Sequence, residues 1–178
     1  MDHLATEPEI GVGLVVTNNP QAGVLRHAAD YEIPTIVISR ADFYESERIL
    51  DSLHTYAIDY VALAGFLWLI PPYLVAAFPD RMLNIHPSLL PDFGGKGMYG
   101  RHVHRAVKAA GATRSGMTIH LVSEEYDRGR ILFQAETPLE ETDSPADIAR
   151  KVLALEHRHY PIVLTDLIKQ TTAQTDLP

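Results

Sequence analysis

The 178-residue chain contains no cysteine, which excludes disulfides, thiolate metal sites and cysteine nucleophiles. Positive charge is also scarce: 15 Lys and Arg residues stand against 23 Asp and Glu residues, for a formal net charge of −8. No basic cluster interrupts this acidic balance, so the composition argues against a nucleic-acid surface. We therefore expect no nucleic-acid partner.

Uninterrupted apolar runs are missing as well. The longest apolar stretch, YVALAGFLWLIPPYLVAAF, is broken by Gly65, Pro71 and Pro72, which makes it a poor membrane span. The opening residues MDHLATEPE are acidic and lack the apolar segment of a secretory signal. These features predict a cytoplasmic protein with no membrane partner, and the length favours a single domain over residues 1–178.

Metal-binding motifs are absent from the sequence, although it contains nine histidines. No HExxH arrangement occurs, and HRHY (157–160) has no companion carboxylate motif. RHVHR (101–105) could be a ligand pair, but it fits a helix face beside a loop better. The segment GGKGMYG (94–100) lacks the GxxxxGK[ST] spacing of a phosphate loop. We predict no metal site, and we interpret 94–100 as a loop beside a functional site.

Apolar segments and amphipathic segments alternate along the first half of the chain. Apolar runs at 10–17, 34–39, 59–66 and 81–87 predict strands, and the first of them is rich in valine. Segments 21–32, 42–56 and 72–78 have helical spacing, with Asp42 as the N-cap of the second. The pattern predicts an α/β fold, a Rossmann-like and mostly parallel sheet with helices on both faces.

The second half of the sequence has a different pattern. A Gly-rich loop at 88–100 precedes a helix at 101–111 that Gly111 terminates. SGMTIHLVS and RGRILFQAETPL are β-like. A Ser cap and an early Pro begin a long amphipathic helix over 144–170.

Polar side chains end the fourth predicted strand, RMLNIHP. Asn84 and His86 project to the same face, because residues two apart in a strand share a face. Ligands of open parallel sheets bind beyond the carboxyl ends of the strands. An amide there can donate to an oxyanion, and an imidazole can exchange a proton near neutral pH. The alternative, equally favoured by the pattern, is a pair that only bonds to nearby backbone.

Two further polar residues have open interpretations. Asp127, in SEEYDRGR, is either an ordinary turn residue or a carboxylate that orients His86. His120 lies between Ile119 and Leu121, a setting more typical of a buried structural histidine than of a catalyst.

Four segments in order, LAGF, NIHPSLLP, SGMTIHLVSEEYDRGRILFQ and ALEHRHYP, resemble the glycinamide ribonucleotide formyltransferase family. The resemblance covers roughly residues 10–165. NIHPSLLP alone marks the wider group that uses 10-formyltetrahydrofolate, including methionyl-tRNA formyltransferase and formyltetrahydrofolate deformylase. The length and the ALEHRHYP helix favour the ribonucleotide enzyme of purine synthesis.

The resemblance implies a role for each matched residue. Asn84, His86 and Asp127 fall on the catalytic trio, and no metal takes part. The implied folate contacts, which share an apolar crevice, are Leu67, Trp68, Leu69, Ile70, Val75, Met82, Leu83, Val122 and Tyr126. The implied nucleotide contacts are Gly65, Phe66, Pro87 and Glu156. The two small-molecule substrates are 10-formyltetrahydrofolate and glycinamide ribonucleotide.

The sequence departs from the family at two places. Trp68 stands where many relatives carry a basic residue near the folate tail, so tail recognition is expected to differ. The family opens with a strand and a Gly/Ser-rich turn that binds phosphate, and no such segment precedes Ile10. We accordingly expect a chain that lacks this strand and loop.

Two rival functions remain open at this stage. One is a folate hydrolase, such as formyltetrahydrofolate deformylase, or another formyltransferase. The other is a folate- or nucleotide-binding module without turnover.

Overall fold

The computed structural model describes residues 7–175, with side chains through residue 171. The chain forms two compact units. The first contains the residues up to Val61 together with Pro71–Pro79. The second contains Ala62–Ile70 and the residues from Asp80 onward.

The first unit contains two short strands and four helices. The strands β1 and β2 pair in parallel, with Val15 opposite Thr35. The elements of this unit are β1 (Val15–Thr17), α1 (Val24–Asp30), β2 (Thr35–Val37), α2 (Arg40–Tyr44), α3 (Arg48–Thr55) and α4 (Pro72–Ala77). The strand predicted at 10–17 is thus confined to its last three residues.

The helix predicted over 42–56 is wrong in two respects. It is two helices, α2 and α3, and its N-cap is Ser39. The Ser39 hydroxyl accepts from the Asp42 N–H at 3.1 Å and donates to the Asp42 carboxylate at 2.6 Å. Asp42 therefore lies in the first turn, where a carboxylate stabilises the helix dipole.

The second unit is built on a four-stranded sheet in the order β3-β4-β5-β6. Neighbours β4 and β5, and β5 and β6, are antiparallel. Its elements are β3 (Val61–Leu63), β4 (Met82–His86), α5 (Arg101–Ala109), β5 (Arg114–Leu121), β6 (Ile131–Pro138) and α6 (Pro145–Thr175). The predicted α/β class is confirmed, with an antiparallel extension in the second half.

One face of β4 and β5 builds the core of the second unit. Leu83, Met117 and Ile119 are fully buried and pack with Ile148 and Val152 of α6. Burying an aliphatic side chain of this size stabilises a fold by about 1.5–3 kcal/mol. Because strand side chains alternate, the neighbouring residues of β4 and β5 project to the opposite face.

Helix α6 confirms the long helix predicted at 144–170. Ser144 and Asp147 cap it reciprocally: the Ser144 hydroxyl accepts from the Asp147 N–H at 3.2 Å, and the Asp147 carboxylate accepts from the Ser144 N–H at 3.0 Å. Further along, the Tyr160 hydroxyl donates to the Leu63 carbonyl at 2.8 Å and lies 3.3 Å from that of Leu83. Tyr160 thus fastens α6 to strands β3 and β4.

Within residues 7–175, none of the helices has both the length and the apolar character that crossing a membrane requires.

Candidate functional site

The end of β4 presents two polar side chains to the face opposite the core. Asn84 lies directly across from His120 of β5, and His86 lies across from Thr118. Directly opposed residues of an antiparallel pair share a face, so the register brings all four side chains to one side of the sheet. This face is the candidate active site.

His86 is buried, with 4% of its surface exposed, and both ring nitrogens have partners. Its Nε2 lies 2.9 Å from the Phe93 carbonyl oxygen. Its Nδ1 lies 3.4 Å from the Asp127 carboxylate. A carbonyl oxygen can only accept, so Nε2 carries a hydrogen and Nδ1 is the nitrogen that gains or loses the proton.

Asp127 is held from two sides. One carboxylate oxygen accepts from the Gly95 N–H at 2.8 Å, and the other lies 3.6 Å from Nε2 of His120. The Asp127 backbone has φ = 56°, in the left-handed region that few non-glycine residues adopt. Backbone strain of this kind is concentrated at functional sites, where it fixes the direction of a side chain.

Asn84 is oriented by His120. The amide nitrogen of Asn84 lies 3.2 Å from His120 Nε2, while His120 Nδ1 lies 2.8 Å from the Leu121 carbonyl oxygen. Because that carbonyl accepts, Nδ1 of His120 carries a hydrogen and its Nε2 lone pair accepts from the amide. One N–H of Asn84 is thereby engaged, and its second N–H remains to meet a ligand.

Burial and charge set the protonation of this cluster. Burial lowers the pKa of His86, and the Asp127 carboxylate and the Phe93 carbonyl only partly offset that effect. Burial works to raise the pKa of Asp127, but the Gly95 N–H and the neighbouring His86 act against it, and the pKa lies below its usual value. Asp127 is therefore charged at neutral pH, beside a histidine that is easily deprotonated.

The site thus combines three chemical capacities. Asn84 offers an oriented N–H donor, His86 exchanges a proton at Nδ1, and the Asp127 carboxylate supplies a fixed negative charge. Such a set suits acyl transfer, which needs an oxyanion donor and a proton relay. Within residues 7–175, no three histidine or carboxylate side chains are grouped as metal ligands would be.

The structure also locates the residues proposed to contact folate. Met82 and Leu83 are buried at 3% and 0% exposure, so almost nothing of either residue faces solvent. The Met82 carbonyl accepts from the Val122 N–H at 2.9 Å, which brings these two predicted residues together. Leu67 is half exposed, and Val75 belongs to the first unit.

The remaining predicted contacts are spread over the second unit. Gly65 has φ = 68°, so its backbone turns where β3 ends. The rings of Phe66 and Trp68 meet edge to face at 5.8 Å. Glu156 is partly buried on α6, and burial raises the pKa of its carboxyl. The other predicted contacts, partly or fully buried, are Leu69, Ile70, Pro87 and Tyr126.

Sequence reasoning missed three groups of this site. His120 is buried, as predicted, but it also orients Asn84 and lies beside Asp127. The Phe93 carbonyl and the Gly95 N–H are main-chain groups, which leave no residue-type signal. Only the pairing register of β4 with β5 could have indicated His120, two positions from Thr118 on the same face.

Comparison with known proteins identifies the class. Residues 4–164 match the family model described as formyl transferase, and the chain belongs to this family. It is 48% identical over 154 residues to the chloroplastic phosphoribosylglycinamide formyltransferase of Arabidopsis thaliana, covering 84% of this chain and 53% of that one. It is 32% identical over 164 residues to the phosphoribosylglycinamide formyltransferase of Bacillus subtilis, covering 90% and 82%.

Solved structures agree with the sequence matches. The crystal structure of phosphoribosylglycinamide formyltransferase from Anaplasma phagocytophilum superposes with a TM-score of 0.83 at 34% identity, covering 92% of this chain and 76% of that one. The chain spans about half the length of the two plant relatives it matches.

Proposed function

We propose that the chain transfers a formyl group from 10-formyltetrahydrofolate to the amine of glycinamide ribonucleotide, a step of purine biosynthesis. The observation that carries this proposal is the convergence of Asn84, His86 and Asp127, with 3.4 Å between His86 Nδ1 and the Asp127 carboxylate. The names of the relatives in the formyl transferase family support glycinamide ribonucleotide as the acceptor.

In the proposed reaction, the amine nitrogen of the nucleotide attacks the formyl carbon, and a C–N bond forms as the carbonyl oxygen becomes an oxyanion. The free N–H of Asn84 donates to that oxyanion, and His86 adds positive charge nearby once it has taken up the amine proton. The amine proton passes through the His86 and Asp127 pair to N10 of the folate. The bond from the formyl carbon to N10 then breaks, which releases tetrahydrofolate and the formylated nucleotide.

The residues that would hold the substrates follow from the same proposal. Residues 66–70, Met82, Leu83, Val122 and Tyr126 would hold the folate. The nucleotide side would be formed by Gly65, Phe66, Pro87 and Glu156, the last through a ribose hydroxyl.

The decisive experiment is an assay of formyl transfer by the wild-type chain and by Asp127→Asn. Asn keeps the shape of the side chain and tolerates a positive φ, so the variant removes the charge and turns one acceptor oxygen into an NH2 donor. We expect kcat to fall by about 10²–10⁴, the usual contribution of a proton-transfer group. The matched control is Asp166→Asn at an exposed carboxylate of α6, which should leave kcat unchanged.

Two other outcomes would redirect the proposal. Formate release without any amine acceptor would favour a deformylase. Folate binding by a wild-type chain that turns over neither reaction would favour a binding module without catalysis.

A further inference from the structure

The loop that follows β4, residues 88–93, lies across the candidate site's face of the sheet. Three side chains form a row beneath it, because His86 pairs with Thr118 and Thr118 pairs with Gln134. We call residues 88–93 the site loop. Four hydrogen bonds join its main chain to this row, and two of them involve Thr118.

The Thr118 hydroxyl uses its full hydrogen-bonding capacity. It donates to the Ser88 carbonyl at 2.7 Å and accepts from the Leu90 N–H at 3.0 Å. It also accepts from the side-chain amide of Gln134 at 2.9 Å. A hydroxyl has one hydrogen and two lone pairs, so no further bond is open to it, and Thr118 is completely buried.

Gln134 extends the same arrangement. Its amide nitrogen also donates to the Leu90 carbonyl at 3.0 Å. Both polar main-chain atoms of Leu90 are therefore held by side chains of β5 and β6. Inside the loop, the Ser88 hydroxyl donates to the Asp92 carbonyl at 2.6 Å.

Packing around the site loop is interrupted by a cavity. A cavity of about 640 Å³ is lined there by the site loop, by Val107 of α5 and by residues 112–115 and 134–136. A cavity wall lacks the close contacts that hold a packed segment in place. The position of the site loop thus depends on its hydrogen bonds together with the burial of Ser88 and Leu90.

The last residue of the site loop contacts the catalytic histidine. This residue, Phe93, accepts from His86 Nε2 at 2.9 Å and has φ = 54°, a strained conformation for this residue type. Two residues later, the Gly95 N–H donates to Asp127. A shift of the loop would therefore move the partners of both His86 and Asp127.

We propose that Thr118 is a positioning residue for the formyl transfer, which fixes the site loop and through it the Phe93 carbonyl that orients His86. Thr118 does not touch the reacting atoms. This inference rests on the proposed function, but its structural half concerns His86 alone and can be tested without substrate.

The test compares Thr118→Val, which deletes the hydroxyl at constant shape, with Thr118→Ser, which keeps it. For Thr118→Val we expect kcat to fall by about tenfold to a hundredfold, as a misplacement of up to 1 Å produces, with little change in KM. Thr118→Ser should retain most of the wild-type kcat. A changed KM with the wild-type kcat, or an equal fall of kcat in both variants, would contradict the proposal.

A second readout follows His86 directly by NMR of the imidazole nitrogens across a pH titration. The groups that face His86 are Asp127, His120 of β5 and His104 of α5, which all remain in both variants. Losing the Phe93 acceptor should move the His86 midpoint to lower pH in Thr118→Val and should weaken the preference for a hydrogen on Nε2. A folded Thr118→Val protein with the wild-type His86 midpoint overturns the proposal.

Gln134→Leu keeps the test decisive if Thr118→Val fails to fold. Gln134 is exposed, so its replacement costs little stability, yet it removes two bonds of the same arrangement. The His86 midpoint should again move to lower pH, and an unchanged midpoint counts against the proposal. An inactive wild-type chain would reject the proposed function, while the NMR comparison would still decide the role of Thr118.

Discussion

At the scale of single residues, Asn84 is the side chain whose free donor is already aimed by a neighbour. His120 occupies one N–H of the amide and so fixes the direction of the other. A donor fixed in advance stabilises a developing negative charge without reorganisation during the reaction. This makes Asn84 a sensitive position for substitution.

We predict that Asn84→Asp lowers kcat by about 10²–10³, the cost of losing one oxyanion donor. The carboxylate has the same shape but cannot donate, and it adds negative charge beside Asp127. The matched control is Asn19→Asp in the first unit, where the side-chain oxygen accepts from the Gln21 N–H at 2.9 Å and a carboxylate does the same. Steady-state kinetics with both substrates would separate kcat from KM, and a wild-type kcat in Asn84→Asp would rule out the donor role.

The residue scale also shows where sequence reasoning succeeds. Asn84 and His86 were predicted to share a face at a strand end, because period-two alternation needs no tertiary information. Asp127 could be connected to them only through a family resemblance, since 40 positions separate it from His86 in the sequence. The role of His120 depends on an antiparallel register that no local pattern encodes.

At the scale of elements, the turn between β5 and β6 carries Asp127 and depends on Gly129. A side-chain carbon at Gly129 would overlap the Leu121 carbonyl, because the Leu121 N–H donates to the Arg130 carbonyl at 2.9 Å just beside it. The chain passes so closely here that only glycine fits.

We predict that Gly129→Ala destabilises the protein by about 1–3 kcal/mol, as overpacking of a filled site does. It should also lower kcat, because the displaced turn carries Asp127. Gly23→Ala is the matched control: a side-chain carbon there meets nothing within 4 Å and φ is −58°, so we expect a change within about 0.5 kcal/mol. Thermal unfolding of both variants measures the difference, and equal melting temperatures would contradict the packing argument.

Element boundaries were the less predictable part of the fold. Ser39 and Asp42 are both good N-cap residues and lie three positions apart, so residue type alone could not choose between them. The strand at 10–17 was overestimated because an apolar run marks burial but not the length of strand pairing. Helix α6 was predicted well because its cap and its long amphipathic pattern agree.

At the scale of the whole molecule, stability and pH are linked through buried histidines. Burial lowers the pKa of both His86 and His104, and Nδ1 of His104 has no hydrogen-bond partner. In the unfolded chain these residues recover an ordinary pKa of about 6.5, so unfolding takes up protons below that pH. The folded state consequently loses stability as the pH falls through this region.

We predict that the free energy of unfolding decreases from about pH 7.5 to about pH 5.5. Glu156 acts in the opposite direction at the acidic end, since burial raises the pKa of its carboxyl. His104→Leu should flatten the pH dependence and remove a buried nitrogen without a partner. His54→Leu, at an exposed position of α3, should keep the wild-type dependence of the unfolding free energy on pH. Urea unfolding at each pH measures that free energy. Parallel slopes for wild type and His104→Leu would exclude this role for His104.

The attachment of α6 by Tyr160 provides an optical signal of its own. Burial raises the pKa of this phenol far above its usual value, so Tyr160 resists ionisation in alkali while its helix remains docked. Its tyrosinate absorbance should appear only when α6 separates from the strands beneath it. An ultraviolet titration into strong alkali would thus record the release of one helix by spectroscopy alone, without any label.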